Sequence, residues 1–130
     1  VEEAFRAILA GDAGVSGFVG DEIHWVLAPK SQKDLPYLSL TTVVDEDDNT
    51  IEGPVGVKSA VVQVDAWASA YSEAVQVYRA VKAALAGFAG TVAGTQVQAV
   101  FFEGARDLGG DEGDRRLYGR SADFRIVWAE

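Results

Sequence analysis

Four consecutive carboxylates, Asp45, Glu46, Asp47 and Asp48, are the residues of this chain best suited by type to chemistry. Carboxylate oxygens coordinate Mg²⁺ or Ca²⁺. A calcium loop, however, alternates its ligands around a central glycine and closes with a glutamate at its twelfth position. Four adjacent acids in an extended segment point their side chains apart instead. The run therefore reads as a solvated, self-repelling stretch, with a weak divalent-ion site, shared between subunits, as the alternative. A second acidic patch, Asp111, Glu112 and Asp114, is interrupted by Gly113 and followed by Arg115 and Arg116. It reads as a mobile loop with internal charge pairing.

His24 is the only histidine. A hydrolytic triad needs a histidine oriented by a carboxylate and adjacent to a nucleophile, and the chain has no Gly-x-Ser-x-Gly elbow. His24 reads as structural. There is no cysteine, which removes disulfides, thiolate nucleophiles and Cys-based zinc sites together. One histidine without cysteine leaves zinc only carboxylates. The glycine-rich stretch 86–94 lacks the Lys-Ser/Thr of a phosphate loop and follows a helix, where such a loop should open one. It reads as a helix stop and a flexible turn. No catalytic residue, metal site or cofactor is expected.

The elements that must position these residues follow from size and pattern. A chain of 130 residues favours one domain with a real core. Apolar residues at 48% and charged residues at 24% are those of a globular protein. Acidic residues outnumber basic ones, 20 to 11, for a net charge of −9. A basic nucleic-acid binder is excluded, because neutralising phosphates takes an excess of Lys and Arg. An anionic membrane surface would repel the chain, and no apolar run approaches the ~20 residues of a spanning helix. The Val-Glu-Glu start lacks the plan of a signal peptide. The absence of methionine implies that the initiator was removed or that the chain starts late.

A first helix reads across 2–10, with Ala4, Phe5, Ile8 and Leu9 on one face. Asp12 can cap a short second helix, closed by Gly17 or Gly20. Strands read at 22–27 and 37–44, separated by a polar loop at 28–36. Residues 45–56 read as a long acidic loop. Residues 57–68 alternate: Val62, Val64, Ala66 and Ala68 face one way, Gln63, Asp65 and Trp67 the other. The best helix spans 71–86, with Ala74, Val77, Tyr78, Val81, Leu85 and Phe88 in one stripe. Ser69 or Ser72 is a candidate cap, and Gly87 a stop. Strand character returns at 96–106, a Gly/Asp loop follows at 107–118, and the last strand, 119–128, alternates again.

These elements make an α+β fold: a mostly antiparallel sheet of about five strands, with one long and one or two short helices packed on one face. Strands before the long helix should form a meander, and the last two a hairpin-like pair. One domain, 1–130, is expected, with protruding loops near 45–56 and 107–118. The helix-free face then shows Trp67 among polar residues, near Tyr37 and Val43, either as scattered exposed aromatics or as a surface that meets another protein. Arg106, Arg115, Arg116, Arg120 and Arg125 cluster late in the chain, whereas acids cluster in the two loops. Copies docking acidic loop to basic patch would close into rings; the alternative is scattered surface charge of little energetic weight.

The wording of several segments resembles the phage tail-completion family. These are Val62-Gln63-Val64-Asp65-Ala66-Trp67-Ala68, Tyr71-Ser72-Glu73-Ala74, Ala80-Val81-Lys82-Ala83-Ala84-Leu85, the close from Arg115 to Arg125, the opening from Val1 to Asp12, and Ile51-Glu52-Gly53-Pro54. The resemblance covers nearly the whole chain and rests on several weak matches in the right order. The family includes head–tail completion proteins and tail terminators of long-tailed phages, with relatives in prophages and gene transfer agents. It implies a structural virion protein of the tail-neck region, assembled in the bacterial cytoplasm, with no catalytic residues.

The implied role is a homo-hexameric ring that caps the tail tube and presents a surface to the head–tail connector or stopper protein. DNA would pass through its lumen without specific binding, and no membrane is involved. Under this reading Asp45, Glu46, Asp47, Asp48, Trp67, Arg115, Arg116, Arg120 and Arg125 are candidates for subunit or neck contacts. The acidic surplus would lower friction against sliding DNA. The alternatives are a head-side neck adaptor or stopper and, from another class, a small metal-binding enzyme or ligand-binding domain using the acidic loop.

Overall fold

Among the described residues, three helices lie on one face of a six-stranded sheet. The computed structural model describes residues 2–20, 22–25, 35–50, 53–112 and 115–129, with side chains except at 44–57 and 110–116. In chain order the elements are α1 (Glu2–Ala10), α2 (Ala13–Val19), β1 (Ile23–Trp25), β2 (Tyr37–Thr50), β3 (Gly53–Ala68), α3 (Tyr71–Leu85), β4 (Gly90–Val92), β5 (Thr95–Glu112) and β6 (Arg115–Ala129). The sheet order is β1-β2-β3-β6-β5-β4.

The helices form where the sequence spacing places them. Ala4, Phe5, Ile8 and Leu9 of α1 are buried, and Glu2 and Glu3 occupy its first turn, where the helix dipole favours negative charge. The Asp12 side chain accepts a hydrogen bond from the Val15 amide at 3.1 Å, capping α2. Gly20, at φ 60°, closes that helix. Ala74, Val77, Val81 and Leu85 of α3 are buried against the sheet. Neither serine caps α3: the capping position is Ala70, whose carbonyl accepts from the Ala74 amide without a side-chain bond. Gly87, at φ 81°, ends the helix and donates its amide to the Val100 carbonyl at 2.9 Å, tying the helix end to β5.

Alternation decides the layers. Ala60, Val62, Val64, Ala66, Ala122, Phe124, Ile126 and Trp128 join the helix side chains in one core. The sheet has six strands, because part of the glycine-rich turn pairs as β4. Ala93 (φ 49°) and Gly94 (φ 78°) supply the two positive-φ residues that a tight two-residue hairpin demands. Next, β1 runs parallel to β2, so the first strands are not a simple meander. The strand expected at 22–27 is Ile23–Trp25, and most of the loop expected at 28–36 lies outside the described residues.

The expected acidic loop at 45–56 is instead strand through most of its length. Asp45, Glu46 and Asp47 stand in register with Ala60, Ser59 and Lys58. Acidic residues disfavour strands on average, but the valine-rich partner strand carries the pairing past them. The loop expected at 107–118 also becomes hairpin. Asp107, Asp111 and Glu112 stand directly opposite Arg120, Arg116 and Arg115. Opposite charges across an antiparallel ladder favour the pairing that puts them there.

The sheet curls around its helices. A bulge between Thr42 and Val44 bends β2, and one between Phe102 and Gly104 bends β5. Both flank one row across the sheet, Thr42–Val62–Phe124–Phe102. Gly104 has φ 153°, which glycine adopts without strain. Both outer strands thereby reach α1. The Phe5 ring meets Trp25 of β1 at 6.4 Å, the Arg6 guanidinium donates to the Ile23 carbonyl at 3.0 Å, and α1 touches β4. A further shift between Val97 and Ala99 lets both Val97 and Val100 face the core despite their odd spacing.

Candidate interaction surfaces

The helix-free face is built from the odd-numbered residues of β3 and β6. Register places Trp67 beside Tyr37 on one side and Gly119 on the other. A Cβ at Gly119 would stand 2.8 Å from the Trp67 ring, so the indole lies on bare backbone. That seat keeps Trp67 half-buried within its own chain rather than projecting as a free anchor. Nothing in the sequence marks Gly119 among the many glycines. Only the register across two strands does.

Next along this face is a polar network. Arg106 Nη2 donates to Gln63 Oε1 at 3.0 Å, and Gln63 Nε2 donates to both Asp65 oxygens at 2.9 and 3.1 Å. Arg106 Nη1 reaches Asp123 Oδ2 at 3.4 Å. Beyond it, Arg125 Nε donates to Glu103 Oε2 at 3.1 Å and Nη1 to Ser59 Oγ at 3.4 Å. Among the described residues, each guanidinium on this face has a carboxylate of its own chain.

Arg120 lies on the other side, against α3. Its Nη1 donates to Asp107 Oδ1 at 3.0 Å, and Tyr71 OH donates to the same carboxylate at 3.2 Å. The guanidinium lies 4.6 Å over the Tyr78 ring. This cluster ties the start of α3 to β5 and β6. A neighbouring contact, Lys82 at 4.1 Å over the Phe102 ring, does the same one turn from the helix end. The late arginines with described side chains thus find their acids within the chain. The side chains of Arg115, Arg116 and of Asp45, Glu46, Asp47 and Asp48 lie outside the described residues.

Two hairpins run past the shared part of the sheet as arms, one beginning just after Asp47 and the other holding Arg115 and Arg116. The β2–β3 ladder continues to Thr50 opposite Gly53, four β3 residues past the last β3–β6 pair at Val57 and Ala129, or about 14 Å. The β5–β6 ladder continues to Glu112 opposite Arg115, three β6 residues past Ala68 and Tyr118, or about 10 Å. The arms leave opposite ends of the sheet.

Among the described residues no group of three or more His, Asp or Glu side chains is placed to hold a metal. His24 Nε2 is 3.7 Å from Glu22 Oε2 in a partly buried setting, beyond hydrogen-bond length. No described helix is long and apolar enough to cross a membrane.

The described residues form an α+β fold with a curled sheet and two hairpins that run past its ends. The chain belongs to the family described as "Tail completion protein gp17", whose model matches residues 3–129, and is accordingly a structural protein of a phage-type tail. In fold it is similar to a chain of the virion of a native gene transfer agent (GTA) particle. That match has a TM-score of 0.71 and 20% identity, and covers 100% of this chain and 95% of the other. By sequence, no curated protein matches.

Proposed function

We propose that this chain is a tail terminator: a homo-hexameric ring that caps the tail tube, joins it to the head connector and lets DNA pass through its lumen. The observation that carries this reading is the pair of hairpin arms at opposite ends of one sheet. A subunit that stops one polymer and receives another needs contacts at both ends of the ring. One arm begins at Asp48, with Asp45, Glu46 and Asp47 in the stretch of β2 that leads into it, and the other holds Arg115 and Arg116. These serve as contacts with neighbours at the two ends. The net charge of −9 and the neutralised guanidinium groups leave little to grip phosphate, so DNA slides rather than binds.

The test shortens one arm and takes only the last β3–β6 pair, Val57 with Ala129, from the sheet. Residues 48–57 are replaced by Asn-Gly, which suits a two-residue hairpin and keeps Asp47 opposite Lys58. The shortened chain should fold and melt as the original does, while particles carry tails of irregular length or tails unjoined to heads. Normal tails joined to normal heads would overturn the proposal. Electron microscopy of the same particles locates the chain, and a position on the head side would replace the terminator with a neck adaptor.

A further inference from the structure

Arg106, Arg120 and Arg125 each meet an acid of their own chain. Among the described residues, Arg79 and Lys82 meet none. Arg79 is exposed on α3, and Lys82 rests on the Phe102 ring instead. No acidic residue falls between Glu73 and Glu103, although the chain has 20. A helix C-terminus favours a base such as Lys82 in its last turn. That does not account for an acid-free run that continues through β4 and into β5.

This run builds one side of the subunit. Arg79, Lys82, Ala83 and Ala86 share a face of α3 by helical spacing, and Ala83 and Ala86 are exposed. The Gly87 amide joins the helix end to the Val100 carbonyl of β5. Gln96, Gln98 and Phe101 of β5 are exposed beside it, Phe101 at 54%. The other side is the reverse. Strand order sets β2 and β5 on either side of β3 and β6. Residues 44–57 carry five acids, Asp45, Glu46, Asp47, Asp48 and Glu52, and no base. Following the register, Asp45 is level with Val100, Glu46 with Ala99 and Asp47 with Val97. The acids therefore begin at the height where α3 ends. A neighbour related by rotation about an axis along the strands keeps that height.

We infer that copies dock side to side, the acidic stretch 45–47 of one facing the cationic face of α3, at 79–86, and the adjoining start of β5 in the next. This rests on the ring reading above. A second copy is the occupant because every copy carries both halves of the charge pattern at one height. The contact runs through charge and needs no backbone pairing along either edge. Copies of net charge −9 repel one another, and complementary sides select the one approach that brings opposite charges together. A heterologous contact of this kind closes into a ring when its rotation allows.

The test exchanges the charges. Arg79→Glu/Ala83→Glu places acid at two exposed helix positions. The isolated variant should melt as the original does, while the yield of ring-bearing tails falls by roughly tenfold. Ala83→Glu alone should give the same defect in smaller measure. Asp45→Lys/Glu46→Lys should also lower the yield, and the chain with all four changes should recover most of it. If the two lysines lower the melting temperature, Asp45→Asn/Glu46→Gln takes their place, with the same pattern in smaller measure. Suppose microscopy shows rings in the original particles. Normal assembly of both pair variants, or no recovery with the four changes together, then overturns side-to-side docking while the ring stands. A defect from the Arg79 and Ala83 changes with normal assembly of the Asp45 and Glu46 variant overturns it too, in favour of an acidic segment of another protein. If particles carry no ring of this chain, the ring reading falls first and this inference with it.

Discussion

Val62, Val64 and Phe124 are sealed beneath the helices, whereas their chain neighbours Gln63, Asp65 and Asp123 hold one another at the helix-free face. The same two strands thus carry two kinds of order. On the helix side, stability comes from removing apolar surface from water, about 1.5–3 kcal/mol for each large side chain fully buried. On the open side it comes from hydrogen bonds and ion pairs between groups that water also solvates, worth about 0–1 kcal/mol each. The helix side holds the fold. The open side sets a shape and charge pattern without contributing much to holding it.

The largest expected effect breaks the packed side. Phe124 is fully buried and meets the Phe102 ring edge-on at 5.7 Å. Phe124→Ala should lower the free energy of unfolding by about 3–5 kcal/mol, measured by urea denaturation. A loss near 1 kcal/mol would mean that the core closes over the gap and is less tightly packed than described.

An intermediate effect comes from the one place where the open face is packed as closely as a core. Gly119→Ala should cost about 1–3 kcal/mol, because the new methyl meets the Trp67 ring. Trp67→Leu made in the same chain should recover much of that loss. Strictly additive costs in the double variant would show that the indole contact is not the cause.

The smallest effect sharpens the contrast. Arg106, half exposed and bonded to Gln63 and Asp123, should be replaceable by alanine at a cost below about 1 kcal/mol, and less in high salt. A loss comparable to that of Phe124→Ala would make the polar face a second core and undo the distinction.

Much of this was legible in the chain itself. The stripes of α1 and α3, the Asp12 cap and the two-faced alternation of 57–68 and 119–128 are local patterns, and local spacing is enough to read them. The acid runs read as loops when strand preference is taken one segment at a time. Their partners across the ladder, Lys58 for one and Arg115, Arg116 and Arg120 for the other, decided the outcome. The Ser69 or Ser72 cap failed because a capable side chain near a helix start is not obliged to bond there. Here Tyr71, pinned to Asp107, fixes the first turn instead.

Sequence by itself determined the class of fold, the buried face of each main element, the excess of acid and the want of catalytic chemistry. It did so because burial and charge follow from residue type and short-range period. Only the tertiary structure decided that β1 runs parallel, that Val97 and Val100 share a face, and that Trp67 rests on Gly119. Those facts depend on register and bulges. One residue of slip changes every neighbour while leaving the local pattern intact.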